Sequence, residues 1–306
     1  MRVTQNTLFD RGLYELQRRF NEFAELQTGG ATGKRIDSVD DDPAASSELV
    51  TLASEQKSSD QYLRNISAAK NQLAATEQAL SRFDELFSSA RAKAVAGGNG
   101  ALTDAERAAL ADDVDQLLRE MVSVGNRQAD GRYLFGGARG NTQPFTAGTN
   151  ADTSITSVSA DWIAINTPVL RDIGPGEAIP TAITGSTFQI SGSSGVNDIF
   201  SAVIQLRDNL RNGTATDVTD ALPNLDLAKA NISAARADVG EWVNRLTSAA
   251  DYWGTRSLQT TTRISEVQDW DAAALMLKYK QTESAYQTAL SITPSLLNLS
   301  LINFIG

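Results

Sequence analysis

The 306-residue chain contains no cysteine and no histidine. Without cysteine there is no disulfide, no thiol nucleophile and no thiolate metal site. Without histidine the chain lacks the commonest general base, the commonest transition-metal ligand and the side chain that titrates near neutral pH. Hydrolytic or metal chemistry would fall to carboxylates, Lys, Tyr or Ser. Basic charge is scarce as well, with 27 Lys and Arg against 37 Asp and Glu and a formal net charge of -10. That balance argues against nucleic acid and against an anionic membrane as partners, since both call for clustered Lys and Arg. No run approaches the roughly 18 consecutive apolar residues of a membrane span. The first thirty residues lack a secretory pattern, because Asp10, Arg11, Glu15, Arg18 and Arg19 break up any apolar stretch. Any export is therefore expected to use a route without a cleaved signal peptide.

What the chain does have is an apolar stripe at each end. Phe9, Leu13, Leu16, Phe20, Phe23 and Leu26 step by 3 or 4, and Leu296, Leu299, Leu301, Ile302 and Ile305 run almost to the last residue. Terminal segments are usually poorly ordered unless something ties them down. Adhesive stripes at both ends point to assembly with further copies. Burying six or seven apolar side chains does not offset the entropy of ordering a whole terminal helix. The first segment should therefore need the C-terminal segment and neighbouring subunits as partners.

Between the ends the chain reads as two rods around an insert. Residues 1–27 form one amphipathic helix, and a break is expected at Thr28 to Gly33. Asp42 followed by Pro43 starts the next helix, Asp capping free amides and Pro fitting the first helical position. No Gly or Pro interrupts from Ala44 to Ala96, and two heptad rows interleave: Tyr62, Ala69, Thr76, Phe83, Ala90 and Ile66, Leu73, Leu80, Phe87, Ala94. Gly97 to Gly100 end that rod. Thr103 with Glu106 is a capping-box signature for a helix folding back antiparallel as far as about Ala129.

From about Gly136 to Gly195 the chain turns to Thr, Ser, Gly and Asn, and four of its seven prolines fall there. Ser154–Val158, Trp162–Ile165 and Thr187–Ile190 read as short strands of a β-rich insert. After Pro223 a second heptad array follows: Leu225, Ile232, Val239, Leu246, Trp253, Thr260 and Val267, beside Ala228, Ala235, Trp242, Ala249, Arg256, Arg263, Trp270 and Leu277. Arg256 and Arg263 are unexpected on such a seam and imply acidic partners on another helix or a neighbouring subunit. The resulting plan is 1–42 an N-terminal assembly helix and turn, 43–135 a first helical arm, 136–196 a β-rich tip domain, 197–269 a second helical arm, and 270–306 a C-terminal assembly helix. The fold class is mainly α with a small β insert, long antiparallel helical arms and coiled-coil-like terminal helices.

Candidate chemistry is sparse. Asp40, Asp41 and Asp42 cluster, but no calcium-loop spacing follows, and a cap and loop role suits them better than a metal. Asp104, Asp112 and Asp113 fit a solvated helix face. Gly136 and Gly137 lack the longer glycine pattern and nearby Lys of a phosphate-cradling loop. Trp242, Trp253 and Trp270 lie on heptad seams, which favours packing over ligand binding. No cofactor and no catalytic residue is assigned.

Specific residues then carry a family resemblance. Gly33, Lys34, Arg35, Ile36 and Asp37, followed by Asp41, Asp42, Pro43 and Ala44, resemble the N-terminal turn of the bacterial flagellin family. Pro43 is similar to the hook-filament junction branch, the third hook-associated proteins, where filament flagellins generally place Ala. Asp130, Gly131, Arg132, Tyr133, Leu134, Phe135, Gly136 and Gly137, then Pro144 and Phe145, resemble the end of the first arm in junction proteins. Asp238, Val239, Gly240, Asn244, Arg245, Leu246 and Ile264 to Val267 are also similar, as is the ending Leu299, Ser300, Leu301, Ile302. Two departures stand out: Gly30, Ala31 and Thr32 resemble an insertion, and Asp37 replaces the usual Asn.

The resemblance implies a flagellin-like structural subunit and no enzyme. It would be exported unfolded by the flagellar type III apparatus and would be extracellular once assembled, cytoplasmic before. Its implied partners are further copies of itself in a ring, the first hook-associated protein, flagellin and a cytosolic export chaperone. The alternatives are a filament flagellin, or a secreted enzyme using Asp152, Asp161, Arg171, Asp172, Glu177 and Asp198 of the insert. Limited proteolysis of the isolated chain at low concentration is expected to attack about residues 1–40 and 270–306 first; tails that survive as long as the middle would contradict the partner requirement.

Overall fold

A computed structural model describes residues 5–151, 154–190 and 196–305, with side chains for 10–151, 154–190 and 196–291. The helices are α1 (Gln5–Thr32), α2 (Pro43–Gly97), α3 (Asp104–Gly125), α4 (Trp162–Asn166), α5 (Ile199–Asn212), α6 (Ala215–Asp220), α7 (Leu222–Gln268) and α8 (Ala272–Ile305). Three antiparallel hairpins accompany them: β1 (Gln128–Ala129) with β2 (Arg132–Tyr133), β3 (Phe145–Thr149) with β4 (Ile155–Ala160), and β5 (Leu170–Gly174) with β6 (Glu177–Pro180). The chain divides into two compact units, a terminal unit up to Ser58 and from Arg256 onward, and a central unit Ser59–Thr255.

In the central unit the heptad rows become a buried seam. On α2, Ile66, Ala69, Leu73, Thr76, Leu80, Phe83, Phe87, Ala90 and Ala94 are buried. On α7 the matching residues are Leu225, Ala228, Ile232, Ala235, Val239 and Leu246. Ion pairs Glu77–Arg236 (2.8 Å), Asp84–Lys229 (3.8 Å) and Arg91–Asp226 (2.8 Å) flank the seam. Rising numbers on α2 meet falling numbers on α7, so the helices run antiparallel. Thr103 and Glu106 close a complete capping box at the start of α3. Arg82–Glu120 (2.5 Å) and Lys93–Asp113 then tie α3 back along α2.

The insert contributes to the same core. Phe135, Phe145 and Phe188 meet Phe83 of α2 and Phe200 of α5 at ring-centroid distances from 4.9 to 6.4 Å. Most of these contacts are edge-on, the arrangement that ring quadrupoles favour. Beside the cluster Arg207 of α5 is 3% exposed and donates to Asp115 of α3 (3.0 Å), to Asp208 (2.7 Å) and to the carbonyl of Ile155 at the start of β4. Burial raises the Asp115 carboxyl, but hydrogen bonds from Arg119 and Arg207 outweigh it and hold the carboxyl below its ordinary range. The β5–β6 hairpin lies on the helices: Trp253 donates its indole N–H to the Ile173 carbonyl (2.7 Å) and Asn65 donates to the Asp172 carbonyl (2.8 Å).

Several local expectations change. Trp162–Ile165 alternates like a strand but is the short helix α4, because the Asp161 side chain accepts from the Ala164 amide and caps it. Thr187–Ile190 is a 3-10 turn followed by a single bridge, Gln189 to Asp198. The expected break at Thr28 is absent: Thr28 and Thr32 return their hydroxyls to the carbonyls of Ala24 and Thr28, and α1 runs on to Thr32. α3 stops at Gly125, and the chain then enters the β1–β2 hairpin.

Replacing Asp115 by Ala is expected to strip the buried Arg207 guanidinium of its buried carboxylate, leaving the more exposed Asp208 as its ionic partner. Removing one partner of such a pair costs about 3 to 5 kcal/mol, so the urea midpoint of the central unit, read by circular dichroism, should fall accordingly.

Candidate functional site

The terminal unit holds most of the residues singled out in the sequence. Pairs Glu15–Arg18, Glu15–Arg19 and Glu22–Arg19 line one side of α1 and support it at helical spacing. Its apolar side meets α8: Phe20 lies 5.9 Å from Tyr286, while Phe23 lies 6.0 Å from Tyr286 and 5.2 Å from Tyr279. Further on, Gly29 sits under Trp270, whose indole nitrogen would be 2.6 Å from any added Cβ. The two terminal helices are therefore antiparallel, and a side chain at position 29 would force the Trp270 ring, just ahead of α8, to move.

This pairing covers part of the predicted stripe and leaves part open. Leu26 is buried and Phe23 and Leu16 are half-buried, whereas Leu13 is 42% and Phe20 52% exposed. On α8, Met276, Leu277 and Leu290 are exposed too. The side chains of Phe9, Leu296, Leu299, Leu301, Ile302 and Ile305 lie outside the described residues.

Backbone hydrogen bonds build the turn from Gly33 to Asp42. Gly33 has φ of 74°, a left-handed conformation that ends α1 with its N–H on the Gly29 carbonyl (2.8 Å). Its own carbonyl accepts from the Trp270 amide (2.9 Å), and Arg35 N–H donates to the Gln268 carbonyl (2.7 Å). The Arg35 guanidinium adds a bond to the Val267 carbonyl (2.8 Å), placing a cation at the C-terminal end of α7 where unsatisfied carbonyls favour it. Ile36 is buried beneath. The Asp41 carboxylate accepts from the Asp37 and Ser38 amides (2.9 and 2.8 Å), and Asp42 accepts from Ala44 and Ala45 (both 3.1 Å) ahead of Pro43. Gly30, Ala31 and Thr32, the residues that resemble an insertion, form the last turn of α1 ahead of the 33–42 turn.

The second motif is a turn in the central unit. Asp130 (φ 50°) and Gly131 (φ 74°) are the two loop residues of the β1–β2 hairpin, the conformation a two-residue hairpin of this hand requires. Tyr133 N–H donates to the Gly140 carbonyl (2.7 Å), and Leu134 and Phe135 turn inward. Arg132 lies against Gly140, where a Cβ would come within 2.7 Å of its Nε. Gly136 presses on Arg139 and Gly140, and Gly137 combines φ of 52° with an approach of 2.4 Å between a would-be Cβ and the Ala164 carbonyl. Glycine is thus demanded at 137 by both backbone and space.

Three of the candidate carboxylates are engaged in structure: Asp161 caps α4, Glu177 pairs with Arg245 (3.4 Å), and Asp198 caps α5. Burial pushes the Asp198 carboxyl up despite the amides it accepts from. Asp152 lies outside the described residues. Among the described residues no group of three or more His, Cys, Asp or Glu converges as a metal site would need, and no helix is long and apolar enough to cross a membrane.

The helical framework that these turns connect matches known proteins. The bacterial flagellin N-terminal helical region corresponds to residues 12–139 and the bacterial flagellin C-terminal helical region to residues 222–305. The chain belongs to the bacterial flagellin family. Curated relatives include flagellar hook-associated protein 3 of Escherichia coli strain K12, 27% identical over 95% of this chain and 94% of that protein. The Salmonella typhimurium protein of the same name is 23% identical over 98% of each. A flagellin of Listeria innocua is 25% identical over 99% of this chain and all of its own length. Solved structures of Xanthomonas campestris FlgL and of Legionella pneumophila flagellar hook-associated protein-3 share the fold, each with a TM-score of 0.60. They cover 69% and 72% of this chain, and 98% and 99% of their own, at 15% and 14% identity. Trp253 as the anchor of the β5–β6 hairpin was not legible in the sequence, where it stood only as an aromatic within the row Leu225, Ile232, Val239, Leu246, Trp253, Thr260 and Val267.

Amides of Asp37 and Ser38 hold the Asp41 carboxyl below its ordinary value. Its contribution to the turn is therefore present above the usual aspartate range, near about pH 4, and is lost as pH falls through the depressed folded value. The Asp37 and Ser38 amide shifts in NMR should titrate together below that range, and Asp41→Asn should abolish the titration.

Proposed function

We propose that this chain is the hook-filament junction subunit of a bacterial flagellum, a structural protein built into a ring between the first hook-associated protein and the flagellin filament. The observation that carries the reading is likeness to proteins named flagellar hook-associated protein 3 along nearly the whole of both chains. The Pro43 turn and the Asp130–Gly137 hairpin, the two segments that resemble the junction branch, support it. Assembly works through the terminal helices: Leu13 and Phe20 of the N-terminal stripe, with Met276 and Leu277 on α8, are exposed within one chain and are left for neighbouring copies. Covering such residues is favourable at roughly 25 cal/mol per Å² of apolar surface removed from water. Export through the type III apparatus with a cytosolic chaperone precedes that step, and the assembled subunit is extracellular.

The flagellin relative of similar identity makes a filament subunit the second reading. Purified chain is expected to stay short under conditions that polymerise flagellin; long filaments from this chain alone would assign it to the filament. Leu13→Asp is expected to abolish incorporation into flagella while changing the stability of the central unit by less than about 0.5 kcal/mol. Melting of the central unit by that substitution would instead make Leu13 internal packing.

A further inference from the structure

The two long helices keep one heptad register in both units, and its chemistry changes at the boundary. Stepping back by sevens from Phe83 on α2 gives Thr76, Ala69 and Tyr62, and then Glu55 and Glu48. Stepping forward from Ala249 on α7 gives Arg256 and Arg263. In the terminal unit these four pair across the helices, Glu55 with Arg256 at 2.9 Å and Glu48 with Arg263 at 3.0 Å, all between 40% and 60% exposed. Polar contacts surround them: Gln56 donates to Ser257 (2.7 Å), Thr261 donates to Gln56 (3.4 Å), and Thr260 and Ser46 are buried. Within 43–58 and 256–268, Leu52 is the one buried hydrophobic residue. The continuous hydrophobic core begins on α2 only at Ile66 and ends on α7 at Leu246.

Exposed ion pairs are weak and are screened by salt, whereas an apolar seam is neither. We propose that the pairing of residues 43–58 with 256–268 is a salt-sensitive latch, opening and reclosing while the central unit stays folded. The latch would let the segments next to both terminal helices part and re-pair, with Glu48, Glu55, Arg256 and Arg263 fixing the register in which they close. It is a property of the single chain and does not depend on the assembly reading.

Hydrogen exchange on the full chain, followed by mass spectrometry at constant pH in about 50 mM and about 1 M sodium chloride, tests this. Peptides within 43–58 and 256–268 are expected to exchange at least about tenfold faster than those within 66–94 and 225–246, and to speed up several-fold further in high salt. The central peptides should not respond to salt. The half reversal Glu48→Arg with Glu55→Arg should accelerate exchange in the terminal peptides alone. The full reversal, which adds Arg256→Glu and Arg263→Glu, should restore the original rates. Equal exchange in the two sets of peptides, indifference to salt, or a full reversal as fast as the half reversal would each overturn the latch.

Discussion

The antiparallel seam between α2 and α7 is the constraint on which the other features of the chain depend. A 55-residue helix and a 47-residue helix cannot be held by local propensity, since helical stability in proteins comes mostly from packing an apolar face. The central unit supplies that face as rows of Leu, Ile, Val, Phe and Ala at heptad spacing. Ion pairs at its margin, Glu77–Arg236 and Arg91–Asp226 among them, penalise a slip of one turn, because a shift would set these charges against the wrong neighbours. Once this register is fixed, the positions of α3, of α5 and of every connection between them follow.

The insert depends on the same seam. Its Phe145 and Phe188, with Phe135 at the end of the first arm, join the helical core by meeting one another and Phe83 and Phe200. The buried Arg207 adds specificity to that attachment by joining α5, α3 and the first residue of β4 in one hydrogen-bonded group. A guanidinium at that depth is costly to bury, and it is tolerated because its donors find acceptors. The insert is thereby a continuation of the helical core.

The long-range plan was legible in the sequence because it rests on period. The heptad rows of α2 and α7, the capping box at Thr103 and the Asp42–Pro43 start each need only neighbours in sequence, and the structure has them, except that the second row stops short of Trp270, which follows the end of α7, and of Leu277, which is exposed on α8. Arg256 and Arg263 stood out as charges on a seam, and Glu55 and Glu48 are the partners that such placement called for. Illegible features rest on contacts between distant segments. Nothing near Trp253 marks its bond to the Ile173 carbonyl, and nothing near Asp115 marks an arginine 92 positions away. Trp162–Ile165 misled for the opposite reason: its alternation is real, but one capping aspartate outweighs an alternation of four residues. Of the candidate interface, the stripe was visible and its division into a covered and an open half was not, because that division depends on which face α8 takes.

The turn from Gly33 to Asp42 shows why a short motif can be demanding without being a chemical site. Its side chains serve backbone groups that two helix ends leave unsatisfied: Arg35 meets the last carbonyls of α7, Asp42 the first amides of α2, and Asp41 the amides of the turn itself. Each role needs a particular charge at a particular step, whereas the flanking helix surface needs only a period. Gly30, Ala31 and Thr32 carry none of these charges. They complete the last turn of α1, upstream of the left-handed Gly33, and apart from the Gly33 N–H on the Gly29 carbonyl and the Lys34 N–H on the Thr32 hydroxyl the hydrogen bonds of the turn lie at or beyond that glycine. Successive helical residues are rotated by about 100°, so the face that Leu13, Phe20 and Leu26 present to α8 is set as much by the length of α1 ahead of Gly33 as by their own spacing.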